Sequence, residues 1–214
     1  VSRLKRFLAP QIADALMAGP DAIARLGSHR ADITVLFCDI RGFTTFSETS
    51  EPEDLMRFLQ EYHAGIGEII FAHQGTLERF TGDSVMVFFN DPVPCEDHCL
   101  RGVNLALDIR DRGQEIVSKW NRRGAELGLG IGVAAGYATL GRVGFDKRFD
   151  YAAIGTVTNL ASRICGVAAG GQVLVSSRVA SEVEGAIETK PLGETALKGF
   201  SKATQLFEAI GRKA

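Results

Sequence analysis

Between Ile33 and Cys38 the chain is apolar at every position except Thr34, and the run closes on an aspartate, Asp39. A strand with that composition has no polar face to turn to water, so residues 31–38 are predicted to form a central strand. The rest of the chain is read around it. Leu55, Phe58, Leu59, Tyr62, Ile66, Ile69 and Ile70 recur at helical spacing after Pro52, and Gly75 ends that helix. Residues 76–80 and 84–89 are two strands joined at Gly82-Asp83, a hairpin signal. A second helix follows, with Cys99, Val103, Leu107, Ile109 and Ile116 on its buried side. Strands are then expected at 127–135, 139–145, 172–175 and 204–209, with a short helix from Asn159 to Val167. The order strand–helix–strand–strand–helix–strand predicts an α+β, ferredoxin-like sandwich: an antiparallel sheet with helices on one face. In that topology the end of the first strand lies beside the hairpin of the next two. It would bring Asp39 and Asp83 together across 44 sequence positions.

Two neighbouring carboxylates at strand ends are costly, because burial disfavours the charged form and like charges repel. A divalent metal resolves both problems, and hard oxygen ligands usually hold metals that serve phosphate chemistry. Other classes of function are less well served. Net charge is −2, which leaves no global basic field for nucleic acid. No apolar stretch reaches membrane-spanning length and no signal peptide is visible. The four cysteines suit a reducing, cytoplasmic setting, and Cys95-Glu96-Asp97-His98-Cys99 lacks a second ligand pair at metal-site spacing. Residues 1–28, interrupted by Pro10 and Gly19-Pro20, read as a helical lead-in, and the domain proper as 29–214. A chain that begins at Val1 reads as a piece of a longer protein, one that could carry a membrane anchor or an upstream sensor.

Further segments carry polar chemistry. In Asp39-Ile40-Arg41-Gly42-Phe43-Thr44 a tight glycine turn follows the carboxylate and offers backbone N–H groups to a phosphate, although strand-end aspartates are as often simple turn residues. In Gly155-Thr156-Val157-Thr158-Asn159-Leu160-Ala161-Ser162-Arg163, Asn159 and Arg163 stand at i and i+4 on one helix face. An amide beside a guanidinium suits the charged oxygens of a transferring phosphoryl group, and equally an ordinary surface pair. Lys147, Arg148 and Lys198 are either solvated cations or the set a triphosphate would need.

Taken together, these motifs resemble the catalytic domain of the class III nucleotidyl cyclases, the adenylyl and guanylyl cyclase family, from about residue 29 to 210. The resemblance implies that Asp39 and Asp83 bind two Mg²⁺ or Mn²⁺ ions, with the Ile40 carbonyl as a further ligand. Asn159 and Arg163 would orient the ribose and stabilise the transition state. Lys198, together with Lys147 or Arg148, would hold the phosphates. It implies a head-to-tail homodimer with each site shared between two copies. The implied reaction is in-line attack of the ribose 3′-oxygen on the α-phosphorus, with pyrophosphate leaving and Asp39 a candidate to assist deprotonation.

Base choice departs from the family pattern. Adenylyl cyclases usually place lysine four residues before the second metal aspartate, where this chain has Arg79. They pair it with aspartate or threonine three residues before a conserved glycine, where this chain has Ala152 before Gly155. Guanylyl cyclases usually show glutamate and cysteine at these two positions. Arg79 is only a donor, which fits adenine N1 or guanine O6 and N7. The missing acceptor for guanine favours ATP, with Thr156 or backbone groups supplying other contacts. Strict alternation sends Glu78, next to Arg79, to the opposite face of the strand. A guanylyl or relaxed-specificity cyclase, and a nucleotide-binding regulatory module without turnover, are the alternatives. A diguanylate cyclase would need a Gly-Gly-Asp/Glu-Glu-Phe hairpin, which this sequence does not contain.

Overall fold

The computed structural model describes residues 4–145 and 147–214; residues 1–3 of the lead-in lie outside the described residues. Strand β1 (His29–Arg41) is central. It pairs antiparallel with β3 (Ser84–Phe89) on one side and β4 (Gly128–Phe145) on the other. β2 (Thr76–Thr81) forms the expected hairpin with β3, closing where Thr81 faces Ser84 across Gly82-Asp83, and Gly82 takes the left-handed φ of 59° that the turn requires. Beyond β4 the sheet continues through β6 (Gln172–Ser176), which runs parallel to it, then β8 (Thr204–Arg212) and β7 (Ile187–Thr195). β5 (Arg148–Ile154) folds back on the distal half of β4. The two strands expected at 127–135 and 139–145 are one continuous strand. Its first half borders β6 and its second half borders β5, while β1 pairs with it from Gly128 to Leu140.

The mixed α+β class stands, but helices cover both faces of the sheet rather than one. α4 (Pro52–Ala72) and α5 (His98–Asn121) pack Phe58, Tyr62, Ile66, Val103 and Leu107 on Leu36, Cys38, Val85, Val87, Leu129 and Ile131. On the opposite face, α6 (Thr156–Val167) packs Val157, Ala161 and Ile164 on Ile33, Val35, Met86, Phe88 and Ala134. The reason lies in β1 itself. From Ile33 to Cys38 both its faces are apolar apart from Thr34, so a sheet bare on one side would leave Ile33 and Val35 in water. Part of the lead-in joins this second layer: Ile12 of α1 (Pro10–Met17) is buried, as is Leu26, which follows α2 (Pro20–Ala24). Two short helices, α3 (Phe43–Thr49) and α7 (Ser177–Val183), complete the fold.

At the junction of the lead-in with β1, the His29 ring bridges two acceptors: Nδ1 to the Gly27 carbonyl at 2.7 Å and Nε2 to the Asp91 carboxylate at 2.5 Å. The Tyr151 hydroxyl of β5 donates to the other Asp91 oxygen. A ring donating from both nitrogens is an imidazolium, and the Gly27 carbonyl and then Asp91 hold its pKa above the ordinary 6.5 against partial burial. Because the folded value is raised, the stabilisation is complete below the unfolded pKa and is lost as pH rises through the folded one. His98 acts in the opposite sense, since burial lowers its pKa. Urea titrations of wild type and His29→Gln should therefore differ most at acidic pH and converge as pH rises above neutrality. A difference independent of pH would refute the charged-ring assignment.

Candidate active site

The β1 end and the β2–β3 turn meet as the topology predicts. The Ile40 N–H donates to Asp83 Oδ2 at 2.9 Å, which places the second carboxylate against the strand that carries Asp39. Burial pushes the Asp39 carboxyl above the usual range. Arg41 opposes that shift and the neighbouring Asp83 charge adds to it. The Arg41 guanidinium hydrogen-bonds Asp39 and also reaches the Gly166 carbonyl at the end of α6, at 3.1 Å. It has room because the residue paired with Asp39 across the sheet is Gly130, where a Cβ would lie 2.7–2.9 Å from three guanidinium atoms.

Two α4 side chains hold the hairpin tip. The Tyr62 hydroxyl donates to the Asp83 carbonyl at 3.1 Å, and the His63 ring donates from Nε2 to the Gly82 carbonyl at 2.7 Å. In the sequence Tyr62 reads as one member of an apolar stripe, and His63 gives no signal at all. Their role depends on the turn packing back on α4, which local pattern cannot show.

Gly42 links β1 to α3 with φ 78°, and a Cβ there would come within 2.2 Å of the Glu126 carbonyl oxygen. No other residue fits that turn. It makes the first N–H groups of α3, at Phe43 and Thr44, follow the metal-type aspartate directly, and first-turn N–H groups have no partner within a helix.

The remaining residues lie elsewhere. Asn159 and Arg163 are exposed on α6, on the face opposite Val157, Ala161 and Ile164. Among the described residues neither side chain has a hydrogen bond or ion pair, and nothing joins them to Asp39 or Asp83. Lys147 and Arg148 are exposed where β4 turns into β5. Lys198 is exposed in a turn anchored by buried Leu197, with Phe200 N–H bonded to the Leu197 carbonyl at 3.1 Å.

Arg79 projects from β2 with its side chain 65% exposed, and Ala152 lies on β5 opposite Gly141. Simple alternation fails between them. The β2–β3 register shifts between Leu77 and Arg79, and a bulge of that kind re-aims the side chain at the irregularity. Glu78 is accordingly not turned away from the site. Its side chain is 5% exposed, its Oε2 accepts the Ala153 N–H at 3.1 Å, and its Oε1 lies 3.8 Å from Arg79 Nη2.

The description "Adenylate and Guanylate cyclase catalytic domain" belongs to the family model that matches residues 27–208. The chain belongs to this family. Adenylate cyclase 1 of Rhizobium meliloti is 35% identical over 185 residues, which is 85% of this chain and 28% of that protein. The chain thus spans under a third of the length of that relative. The crystal structure of the adenylyl cyclase CyaB from P. aeruginosa superposes with a TM-score of 0.84 at 34% identity, covering 88% of this chain and 98% of that one. The guanylyl cyclase Cya2 follows at 0.80 and 29% identity, covering 87% and 95%.

Family members depend on a divalent metal, and the residues present fit one. Two carboxylates are brought together, one of them raised by burial, and the only cation described on either is Arg41. Their oxygens are hard donors of the kind Mg²⁺ and Mn²⁺ prefer. Among the described residues no cluster of three or more His, Cys, Asp or Glu side chains offers an alternative. No helix among them is long and apolar enough to cross a membrane.

Proposed function

We propose that this chain converts ATP to 3′,5′-cyclic AMP and pyrophosphate at sites shared between two copies. The observation that carries the proposal is the split arrangement. The carboxylate pair stands at the β1–hairpin end, while Asn159 and Arg163 face solvent on α6 with no contact to it. A metal at Asp39, Asp83 and the Ile40 carbonyl would lower the pKa of the ribose 3′-hydroxyl and offset phosphate charge, with two ions per site as the resemblance implies. The chain's own groups do the rest. Arg163 supplies planar donors to the α-phosphoryl oxygens, where charge builds in the transition state, and Asn159 orients the ribose. The N–H groups after Gly42 and the cations Lys198 and Lys147 or Arg148 hold the phosphates. Arg79 reads the base from β2 beside Ala152.

ATP is favoured over GTP because Arg79 donates to adenine N1 and Ala152 offers no side-chain acceptor for guanine N1–H and N2–H₂. The relatives described as adenylate cyclases support this choice. The similarity to a guanylyl cyclase keeps GTP as the second reading.

The test uses purified protein with Mn²⁺ and either nucleotide. Cyclic AMP should exceed cyclic GMP, and specific activity should rise with protein concentration as copies associate. Asp39→Asn and Arg163→Ala chains, each inactive alone, should recover activity when mixed, because a mixed pair keeps one intact site. No recovery on mixing, with association demonstrated, would refute shared sites. Product from neither nucleotide would favour a regulatory module.

A further inference from the structure

Glu78 is a carboxylate that the proposed chemistry does not use, yet it is the most buried acidic side chain near the base-reading residues, with 5% of its surface exposed. Leaving an ion there is costly unless it is paired and hydrogen-bonded. Its two oxygens are divided between two strands. Oε2 takes the Ala153 N–H of β5 at 3.1 Å, and Oε1 faces Arg79 Nη2 on β2 at 3.8 Å. Among the described residues β2 and β5 are not neighbours in the sheet: β2 pairs with β3, and β5 with β4. Glu78 is thus a direct bond between the two strands that carry the base-reading positions, and the bulge at Leu77/Arg79 is what turns it inward.

We propose that Glu78 is the positioning residue of the base-reading site, tying Arg79 to the β5 backbone beside Ala152 and so fixing the donor that meets the purine edge. The inference rests on the nucleotide cyclase reading and adds the residue that sets its base preference. Arg79 alone is a long, mostly exposed side chain with many rotamers, and ordering it on binding costs conformational freedom. A carboxylate facing its guanidinium restrains it beforehand. A donor held at the N1 position meets an acceptor in adenine and the N1–H donor in guanine, so fixing Arg79 favours ATP.

Glu78→Gln separates the two bonds. The amide oxygen can still accept Ala153 N–H, but the charge that restrains Arg79 is gone. The expected result is a KM for ATP raised about tenfold, the loss of one charge-assisted contact, with kcat falling by less than KM rises. The ATP-to-GTP preference should drop toward that of Arg79→Ala. Glu78→Gln combined with Arg79→Ala should be no worse than Arg79→Ala alone, since the first acts through the second. Wild-type KM and base preference in Glu78→Gln, or losses that multiply in the double variant, would overturn the proposal. Glu78→Ala also removes the β5 bond and should add a loss of melting temperature that Glu78→Gln does not show. If the wild-type chain cyclises neither nucleotide, the cyclase reading fails. The Glu78 claim is then read from binding of fluorescent ATP and GTP analogues, where Glu78→Gln must weaken ATP selectively or the claim falls.

Discussion

Asp39→Asn and Asp83→Asn should each reduce turnover by about 10³-fold, the scale of losing a preorganised electrostatic contact in a closed site. Neither should unfold the protein. An asparagine at 83 can still accept the Ile40 N–H through its amide oxygen, so the bond that seats the hairpin tip survives. The Tyr62 and His63 bonds to the turn involve backbone carbonyls and are unaffected. At 39 the substitution removes a charge that burial and Asp83 already disfavour, and the amide oxygen can still accept from Arg41, although without the charge assistance. Melting in EDTA should therefore change little.

The distinguishing measurement is the response to metal. A ligand that binds only the folded state stabilises it by RT ln(1 + [L]/Kd). Wild type should melt higher as Mn²⁺ is added, and both variants should lose most of that shift. Wild-type turnover in either variant, or an undiminished Mn²⁺ shift, would refute the assignment of these carboxylates as metal ligands. Loss of turnover with a lower melting temperature in EDTA would instead point to a structural role.

How much of this was legible in the sequence depended on the kind of signal each element carries. β1, the β2–β3 hairpin, α4 and α5 announce themselves, because long runs of one period leave little choice of face. The meeting of Asp39 with Asp83 followed from that topology. β5 is not among the expected strands: Arg148–Ile154 is seven residues long, and its alternation of Arg148 and Asp150 with Phe149 and Tyr151 gives way to Ala152 and Ala153. β7 has almost no buried positions, with Ile187 its one core residue, so it shows no alternation to detect. The second helical layer does not follow from the ferredoxin-like element order; it follows from β1, whose apolar residues on both faces demand cover on both sides. Glu78 departs from strict alternation for a local reason. Alternation holds only while the register holds, and the bulge next to it breaks the register at Arg79. The glycines of β4 permit close backbone approach, and at Gly132 what approaches is α6.

Gly132→Ala tests that approach and should have the largest effect on stability. Gly132 faces α6, and a Cβ there would lie 2.3 Å from the Cys165 nitrogen and 2.6 Å from the Ala161 carbonyl oxygen. These are backbone atoms of a helix packed on the sheet, so no rotamer change relieves the overlap. The helix must move. Overpacking of this kind is expected to cost at least about 3 kcal/mol, the upper part of the usual range. Gly136→Ala, on the same strand and under the same helix, is the control. There the new methyl would meet only the Val157 side chain, at 3.4 Å, an ordinary contact, and stability should stay within about 1 kcal/mol of wild type. The contrast matters because α6 carries Asn159 and Arg163. A shift of that helix by about 1 Å is enough to cost roughly 10²-fold in rate where reacting groups must align. Gly132→Ala should therefore lose activity even below its melting temperature, with the Mn²⁺ response at Asp39 and Asp83 retained. If Gly132→Ala melts and turns over like Gly136→Ala, then α6 does not sit on β4 as closely as the structure places it, and the positions of Asn159 and Arg163 must be redrawn.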